Sequence, residues 1–463
     1  MGEYAPVTVD WREPLLNGAT LLDVRLARRN PGAWPGYDAR PAVTAYRLQG
    51  SPGAPGAVAL AWDFAVQGGS LSEDDATVLV AAVRHAIRER VPLVTLVRSG
   101  GTRLQEGLAA LVGIPRARIA LLSLADAGLP HVSVADAPTT GGVWIAIGAA
   151  ADLRIAVEGA TVGFAGPRVV EAMTGERPGT DSHTAQSAFA AGLVDAVLPG
   201  DQVVAWLHRA LSAAAPASPE PATAPEPVPV EEIGGWAQVL RCRGRTESGR
   251  ALLDRLLTER TALQAPRGDH SVAAAIGSLA GRPVVAVALA AELGGRPTPD
   301  GYRLAARAYR LAGRLGLPVI SLVDTPGADP GPASEAEGIA QAMGEALDAL
   351  VTCPTPTVAL VHGEGGSGGA LAASTADVIV MTPDSYFAAI GPEGAEAALR
   401  LPREECADRM RVTPADLLRL GFADCTGRAE DLAFHLDQLQ ARPRGERLDA
   451  RLSRWSRPLP GTL

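Results

Sequence analysis

The sequence predicts an α/β protein made of two similar halves, and three observations indicate this. Nearly continuous apolar runs, typical of buried parallel strands, alternate with segments whose apolar residues recur at helical spacing. Four landmarks recur 225 to 227 residues apart, namely Gly101 with Gly327, Gly142 with Gly369, Asp152 with Asp377, and Pro167 with Pro392. A segment rich in Ala and Pro separates the two copies.

The elements follow the same order in each half. In the first half, strands are predicted at 58–64, 92–97, 131–135 and 153–157, and helices at 74–90, 103–111, 119–127 and 143–150. In the second half, strands are predicted at 284–289, 318–323, 356–360 and 377–381, and helices at 302–315, 335–350 and 371–376. Residues 213–230 have little to bury, which predicts an extended linker between domains 1–212 and 231–463.

Composition narrows the class of protein. A net charge of −9 argues against a nucleic-acid partner, which would favour a basic face. No uninterrupted apolar run approaches the ~20 residues that cross a bilayer, and the first residues are acidic, so we expect no membrane partner and a cytoplasmic protein. The four cysteines are widely separated, which favours reduced thiols and predicts no metal site.

Two glycine-rich turns stand at corresponding places in the halves. Residues 361–370 read Val-His-Gly-Glu-Gly-Gly-Ser-Gly-Gly-Ala, between a predicted strand and a helix start, and Thr139-Thr140-Gly141-Gly142 is the first-half copy. A turn of this kind leaves N–H groups unpaired and suited to an oxyanion. It lacks Gly-Lys-Ser/Thr and is therefore not a nucleotide-binding P-loop.

At these motifs the chain resembles a known family, the carboxyltransferases of biotin-dependent acyl-CoA carboxylases. The first half is similar to the β subunit over 64–70, 99–106, 138–143 and 163–169. The second half is similar to the α subunit over 299–303, 324–328, 363–370 and 392–394. The resemblance runs from about residue 25 to about residue 425.

The resemblance implies a crotonase-like fold, a spiral of β-β-α turns, in each half. It also implies carboxyl transfer from carboxybiotin to the α-carbon of an acyl thioester through an enolate. Gly141 and Gly142 would hold the thioester oxygen, and Gly369 and Ala370 the ureido oxygen of biotin. The implied substrate-binding residues are Arg98, Gly100, Gly101, Arg103, Gly166, Gly327, Gly368 and Gly394. Arg98 would meet a substrate carboxylate or phosphate, or form a surface salt bridge.

The resemblance also implies partners. The sequence has no Met-Lys-Met biotinylation site, so biotin would arrive on a biotin carboxyl carrier protein charged by a biotin carboxylase. The acyl group would come on coenzyme A or an acyl carrier protein, in fatty acid or polyketide biosynthesis with malonyl-CoA as a product. The active site would lie between the β-type half of one protomer and the α-type half of another, which predicts at least a homodimer.

Three other functions remain open. A malonyl-thioester decarboxylase that needs no biotin would use the same fold and one of the two oxyanion sites. Gly365-Gly366-Ser367-Gly368-Gly369 also matches the Gly-x-Ser-x-Gly elbow of α/β-hydrolases, but only His435 follows it and the first copy has no serine. A non-catalytic scaffold is disfavoured by two intact glycine turns.

Overall fold

The computed structural model describes residues 10–50, 55–179, 181–215, 217, 219–226 and 228–459. The chain forms two compact units, Met1–Ser212 and Ala213–Leu463. The strands of the first unit are β1 Thr20–Leu21, β2 Val43–Leu48, β3 Ala57–Trp62, β4 Leu93–Ser99, β5 His131–Thr140, β6 Leu153–Val157, β7 Val162–Gly163 and β8 Ala196–Leu198. Its helices are α1 Glu13–Leu16, α2 Glu73–Glu89, α3 Leu108–Asp126, α4 Gly141–Val143, α5 Pro167–Thr174, α6 Ala185–Ala190 and α7 Gly200–Ala213.

The second unit contains a matching set of strands. They are β9 Thr258–Leu263, β10 Val272–Leu279, β11 Arg282–Leu289, β12 Val319–Thr325, β13 Thr357–Gly366, β14 Val378–Met381, β15 Tyr386–Ala388 and β16 Cys425–Thr426. The helices are α8 Gly235–Arg243, α9 Gly249–Leu256, α10 Pro299–Leu315, α11 Pro332–Ala336, α12 Ile339–Val351, α13 Ser367–Leu371, α14 Pro392–Leu399, α15 Arg403–Arg409, α16 Pro414–Leu420, α17 Leu432–Gln440 and α18 Arg444–Trp455.

The two sheets confirm the internal duplication. The first runs β1-β2-β3-β4-β5-β6-β8 with β7 beside β5, and the second runs β9-β10-β11-β12-β13-β14-β16 with β15 beside β13. In each sheet the first three strands pair with one another in antiparallel orientation, and from the third strand onward the pairs are parallel. Buried Val, Leu, Ile and Ala side chains of the central strands form each core. Burial on both faces explains why these strands are continuous apolar runs.

Several predicted boundaries are wrong. Helices 103–111 and 119–127 are one helix, α3, which continues through Pro115. The predicted helix 335–350 is broken into α11 and α12 at Gly338, whose φ is +81°. The helix predicted at 371–376 corresponds to α13, which begins at the glycine turn itself, at Ser367, because β13 extends to Gly366. Strands β2, β9 and β10 were not predicted, since their apolar residues are mostly alanine or interrupted by polar residues, and pairing with neighbouring strands places them in the sheet.

Helix α3 is the one described helix long and apolar enough to cross a membrane by length and composition, with 19 residues and a mean hydropathy of 1.6. The sequence-based prediction considered only uninterrupted apolar runs and therefore did not identify α3 as such a helix. A third of its apolar window is buried in the protein. A core helix passes the same test, and Arg116 of α3 donates a hydrogen bond to Thr77 of α2 at 2.9 Å.

The described part of the predicted linker is held on the second unit. Residues 219–226 form no helix or strand, as expected for an extended segment. The backbone N–H of Ala222 nevertheless donates to Asp437 at 2.8 Å, and the guanidinium of Arg282 donates to the carbonyl of Glu220 at 2.7 Å. Arg282 also pairs with Asp437 at 2.6 Å. Side chains distant in sequence therefore anchor this stretch to the second unit.

Arg451 of α18 fastens the C-terminal helix to the second unit. Its side chain is completely buried and binds both carboxylate oxygens of Asp377, at 2.8 and 2.5 Å. It also donates to backbone carbonyls that include those of Leu350, Cys353 and Thr355. Two of these carbonyls lie at or just after the end of α12, where helical carbonyls lack partners. One arginine therefore compensates a buried carboxylate and several buried carbonyls.

We expect Arg451→Met to lower the free energy of unfolding by about 3–5 kcal/mol, because it removes the nearest cation from the buried Asp377 carboxylate and leaves only Arg447, at 3.9 Å. Urea denaturation measures this. Arg409→Met is the matched control, since Arg409 pairs with Glu405 but its side chain is 71% exposed. The control should change stability by less than about 1 kcal/mol. Equal stability of the two variants would contradict the prediction.

Candidate active site

The first glycine turn forms where two neighbouring parallel strands end. Ser99 at the end of β4 pairs with Thr139 near the end of β5, so the loops that follow come together. Gly101 and Gly141 both have positive φ, +117° and +70°. A Cβ on Gly141 would lie 2.8 Å from the Cα of Gly101, so a side chain there would collide with backbone. The loops touch backbone to backbone, and Gly141 must be glycine.

The N–H groups of this turn differ in availability. The Gly141 N–H donates to the carbonyl of Phe164 at 3.0 Å and is therefore already paired. Within the described part of the chain, the N–H groups of Gly142 and Val143 have no hydrogen-bond acceptor. The oxyanion donor pair implied by the resemblance, Gly141 and Gly142, is thus available only at Gly142, and the next free donor is Val143, which the sequence did not indicate.

The second glycine turn repeats this arrangement in the other unit. Thr325 at the end of β12 pairs with Gly365 of β13. The Gly327 N–H donates to the hydroxyl of Thr325 at 3.1 Å, just as the Gly101 N–H donates to that of Ser99 at 3.1 Å. No acceptor for the N–H groups of Gly368 and Gly369 is found among the described residues. Each unit therefore presents unpaired donors at the same point of its sheet.

Strand pairing corrects the alignment of the two turns by one residue. Ser99 pairs with Thr139 and Thr325 pairs with Gly365, so equivalent positions are 226 residues apart at both places. Gly142 therefore corresponds to Gly368, and not to Gly369. Gly141 corresponds to Ser367, and both are left-handed, with φ of +70° and +61°. A run of glycines can slide along another run in a sequence comparison, whereas sheet hydrogen bonds permit a single register.

The corrected register changes what the residues of the second turn can do. Ala370 lies one residue beyond the matched donors and is buried, as Gly369 and Val143 also are. A Cβ on Gly369 would lie 2.5 Å from the nitrogen of Ala328 and 2.7 Å from the hydroxyl oxygen of Tyr302. Gly369 therefore allows the turn to pack against Ala328 and Tyr302. Gly368 is exposed and is the residue equivalent to Gly142.

A cavity of about 680 Å³ adjoins the second turn. It contains three of the implied substrate-binding residues, Gly327, Gly368 and Gly394. One wall is apolar, formed by Ile339, Met343, Leu347, Leu371 and Ile390. The rest is polar and includes three side chains that the sequence did not single out for this site, Ser367, Arg243 and Glu393. A cavity with an apolar wall and a few placed polar groups suits a small organic ligand.

Arg243 organises the polar side of this cavity. It donates to Glu393 at 2.5 Å and to Glu364 at 3.1 Å, and the hydroxyl of Tyr386 donates to Glu364 at 2.7 Å. The hydrogen bond from Arg243 lowers the pKa of Glu393. Burial, with the neighbouring Glu364 carboxylate, raises the pKa of Tyr386. Glu393 therefore stays ionised and Tyr386 protonated, which fixes the orientation of Arg243 at the cavity.

Two implied substrate-binding arginines have internal partners. Arg98 forms an ion pair with Asp136 at 2.5 Å, so of the alternatives above the structure shows the salt bridge. Arg103 is a correction: its side chain is completely buried, pairs with Asp75 at 3.2 Å and donates to the carbonyls of Arg40 and Ser70 at 3.0 Å each. A buried guanidinium with these partners cannot reach a substrate, and it instead holds the loop that follows β4.

The remaining implied residues of the first unit lie at the turn. The Gly100 N–H donates to the carbonyl of Gly68 at 2.9 Å, which fixes the loop after β4. Gly166 is the residue before α5, and a Cβ there would lie 3.9 Å from the hydroxyl of Thr140. Gly100, Gly101 and Gly166 therefore shape the first turn through their backbone.

The hydrolase alternative lacks its histidine. Ser367 does lie on a tight strand-to-helix turn with positive φ, as the elbow motif requires. The lining of the cavity, as far as the chain is described, includes no histidine. His435 lies on α17, where its Nε2 is 3.6 Å from the sulfur of Cys425. No group of three or more His, Cys, Asp or Glu side chains that could hold a metal occurs among the described residues.

His362 in β13 gives the second unit a predicted pH dependence. Its ring Nε2 is buried without a partner. Burial, with the nearby Arg245 charge, lowers the pKa of His362 to about 3 from its ordinary 6.5. Below about pH 6.5 the unfolded chain therefore binds a proton at His362, whereas the folded chain does not. The free energy of unfolding falls as the pH decreases below that value.

The expected loss between pH 7.5 and pH 5 is about 2 kcal/mol of unfolding free energy. Urea denaturation at both pH values measures it, with His362→Gln as the control because its side chain does not titrate. The difference between wild type and variant should change by this amount as the pH falls. An identical pH dependence for both proteins would refute the role of His362.

Comparison with known proteins places this geometry in a family. A family model described as acetyl co-enzyme A carboxylase carboxyltransferase-like matches residues 254–441. The acetyl-coenzyme A carboxylase carboxyl transferase subunits beta/alpha of Salinispora arenicola are 37% identical over 407 residues, which cover 81% of this chain and 71% of that protein. The chain belongs to the carboxyltransferase family of acyl-CoA carboxylases.

One further relative and two solved structures are also similar to this chain. The probable biotin-dependent acyl-coenzyme A carboxylase beta3 subunit of Mycobacterium tuberculosis is 33% identical and covers 86% of both chains. Transcarboxylase 12S, solved with hydrolyzed methylmalonyl-coenzyme A bound, superposes with a TM-score of 0.78 at 22% identity over 94% of this chain and 89% of that one. A single-chain, multi-domain long-chain acyl-CoA carboxylase gives a TM-score of 0.69 at 21% identity, covering 87% of this chain and 42% of that one. These likenesses confirm the predicted α/β fold of two tandem crotonase-like domains.

Proposed function

We propose that this carboxyltransferase moves a carboxyl group from carboxybiotin, carried on a separate protein, to the α-carbon of an acyl thioester of coenzyme A or acyl carrier protein. The observation that carries the proposal is the pair of equivalent glycine turns, each with unpaired N–H groups at the end of parallel strands. The reaction passes through two oxyanions, an enolate and a ureido anion, and the chain offers two donor sites.

The first turn is assigned to the thioester. The N–H groups of Gly142 and Val143 would donate to the thioester oxygen, where charge builds up as the α-carbon loses its proton. Because sheet pairing and the contact between Gly101 and Gly141 hold this backbone, the donors need not reorganise when the charge appears. Such preorganised donors stabilise the enolate relative to the ground state, and this lowers the barrier.

The second turn and its cavity are assigned to biotin. Carboxybiotin supplies the carboxyl group and, once this has left, the base that takes the α-proton. Gly368 and Gly369 would donate to the ureido oxygen, and the apolar wall of Met343, Leu347 and Ile390 would pack against the rest of the ring system. No side chain need act as the base in this mechanism. Of the three acidic residues that line the cavity, Asp329, Glu335 and Glu393, the last is paired with Arg243.

A direct assay tests the proposal. The protein is incubated with malonyl-CoA, methylmalonyl-CoA and their decarboxylated acyl-CoAs, with and without a biotinylated carrier protein and a biotin carboxylase with ATP. We expect transfer of the carboxyl group only in the presence of biotin. Loss of CO2 from malonyl-CoA at the same rate without biotin would instead establish a decarboxylase.

Self-association is part of the proposal. Large apolar side chains next to the first turn are exposed to solvent, among them Leu104 at 84%, Phe164 at 73% and Met173 at 82%. Apolar surface of this extent commonly marks an interface. We propose that a second copy of the chain covers this surface, its second unit meeting the first unit of its partner.

We expect sedimentation to give at least twice the chain mass of 47.6 kDa. Phe164→Glu should weaken association, since it places a charge on the apolar surface, without lowering the melting temperature of each unit. A fully active, monodisperse monomer would contradict the proposal.

A further inference from the structure

The two glycine turns differ at the left-handed position that begins each helix. Gly141 occupies it in the first unit and Ser367 in the second. A side chain at residue 141 is blocked, because its Cβ would lie 2.8 Å from the Cα of Gly101. The second turn is more open: a Cβ added to Gly327 would still lie 3.9 Å from the Cβ of Ser367. The first turn therefore has no room for a side chain at this position, whereas the second turn carries the hydroxyl of Ser367 there.

The conformation of Ser367 is unfavourable for a residue that has a Cβ. At a φ of +61° glycine is the residue without strain, and serine is uncommon there. The strain is not offset by a hydrogen bond within the protein, since the Ser367 hydroxyl has no partner among the described residues. Ser367 is partly exposed and lines the cavity beside the free N–H groups of Gly368 and Gly369. Strained residues of this kind concentrate at functional sites.

The buried side of the turn fixes the position of these donors. Tyr302, completely buried, points its unpaired hydroxyl at the turn, 2.7 Å from where a Cβ on Gly369 would lie. Tyr302 and Ala328 thus support the turn from behind. The Ser367 hydroxyl and the two N–H groups are left on the cavity side.

We propose that the Ser367 hydroxyl donates a hydrogen bond to the N-carboxylated cyclic urea of the incoming biotin, as a third donor beside the N–H groups of Gly368 and Gly369. This inference rests on the proposed function and adds a catalytic residue to it. When the carboxyl group leaves, negative charge develops on the ureido oxygen, and a positioned hydroxyl stabilises it. The thioester turn has no such donor, since Gly141 offers only a paired N–H. Ser367 thereby distinguishes the biotin site from the thioester site.

Two variants separate this role from folding. Ser367→Gly removes the hydroxyl and relieves the strain, so its melting temperature should equal or exceed that of the wild type. Ser367→Ala removes the hydroxyl and keeps the Cβ. Ser374→Ala is the matched control: its hydroxyl donates back to the carbonyl of Ala370 at 2.9 Å within the same segment and is completely buried.

The reaction is run in reverse, with free biotin as acceptor and malonyl-CoA or methylmalonyl-CoA, whichever the wild type uses, as donor. For both Ser367 variants, kcat/KM for biotin should fall about 10- to 100-fold, while KM for the thioester stays within about twofold of wild type. The Ser374→Ala control should match wild type in both.

Each outcome decides a different claim. Wild-type kinetics in both Ser367 variants would overturn the role of Ser367 and leave the carboxyltransferase proposal intact. An equal loss of thioester affinity would show that the serine shapes the whole site rather than donating to biotin, and this also overturns the inference. A wild-type protein that transfers no carboxyl group to biotin would overturn the proposed function and, with it, the role of Ser367.

Discussion

Valine in place of Gly142 should abolish carboxyl transfer, with a rate lower by at least about 10²–10³. A Cβ at residue 142 would lie 2.3 Å from the Cδ1 of Ile114 and 3.1 Å from the hydroxyl of Thr102. The larger side chain would occupy the space in front of the N–H groups of Gly142 and Val143 and displace the thioester oxygen from them. Initial rates of acyl-CoA carboxylation with a charged biotin carrier measure the loss.

The contact with Ile114 provides the control for this variant. Ile114 is a flexible side chain on α3, so part of the effect could come from displacing that helix. The double variant Ile114→Ala with Gly142→Val removes the contact and keeps valine in front of the donors. Its activity should remain lost, with a melting temperature closer to that of Ile114→Ala alone. Recovery of the rate in the double variant would show that helix packing, and not the donor site, caused the defect.

Valine in place of Gly368 should abolish transfer from carboxybiotin by a similar factor of about 10²–10³. A Cβ at Gly368 would meet only the Cε of Met343, at 3.5 Å, an ordinary contact. The protein should therefore fold normally while the side chain fills the cavity in front of the N–H groups of Gly368 and Gly369. Rates with a charged carrier and with free biotin both measure this.

The neighbouring residue cannot serve the same test. A side chain at Gly369 would collide with the nitrogen of Ala328 and the hydroxyl of Tyr302, so Gly369→Val should unfold the turn. Gly369→Val is thus a control for general damage. The corrected register makes Gly142 and Gly368 the matched pair.

Comparison of the Gly142 and Gly368 variants separates the two chemistries that share this fold. A carboxyltransferase needs both turns, so both variants should be inactive. If Gly368→Val still consumes malonyl-CoA at the wild-type rate while Gly142→Val does not, the second site takes no part in turnover. The decarboxylase would then replace the carboxyltransferase as the function of this chain.

Several features of the fold could be predicted because their causes are local. Nearly continuous apolar runs such as residues 92–97 are typical of burial on both faces, and this identifies the strands at the centre of a parallel sheet. The duplication could be recognised because glycine and proline at strand ends have few substitutes. Elements that depend on distant partners could not be predicted. Strand β10, with three alanines, is a strand because β9 and β11 pair with it.

The same distinction applies to the features of the candidate active site. The sequence by itself determined that two glycine turns follow equivalent strands, because glycine is favoured where the backbone takes a positive φ or where another segment of the chain approaches it closely. Only the tertiary structure decided which glycines match, since sheet hydrogen bonds set the register of Thr139 and Gly365. It also decided that Arg103 is buried against Asp75 and that the Gly141 N–H is already paired. A sequence shows which groups can donate, but the partners that occupy them lie on segments far away along the chain.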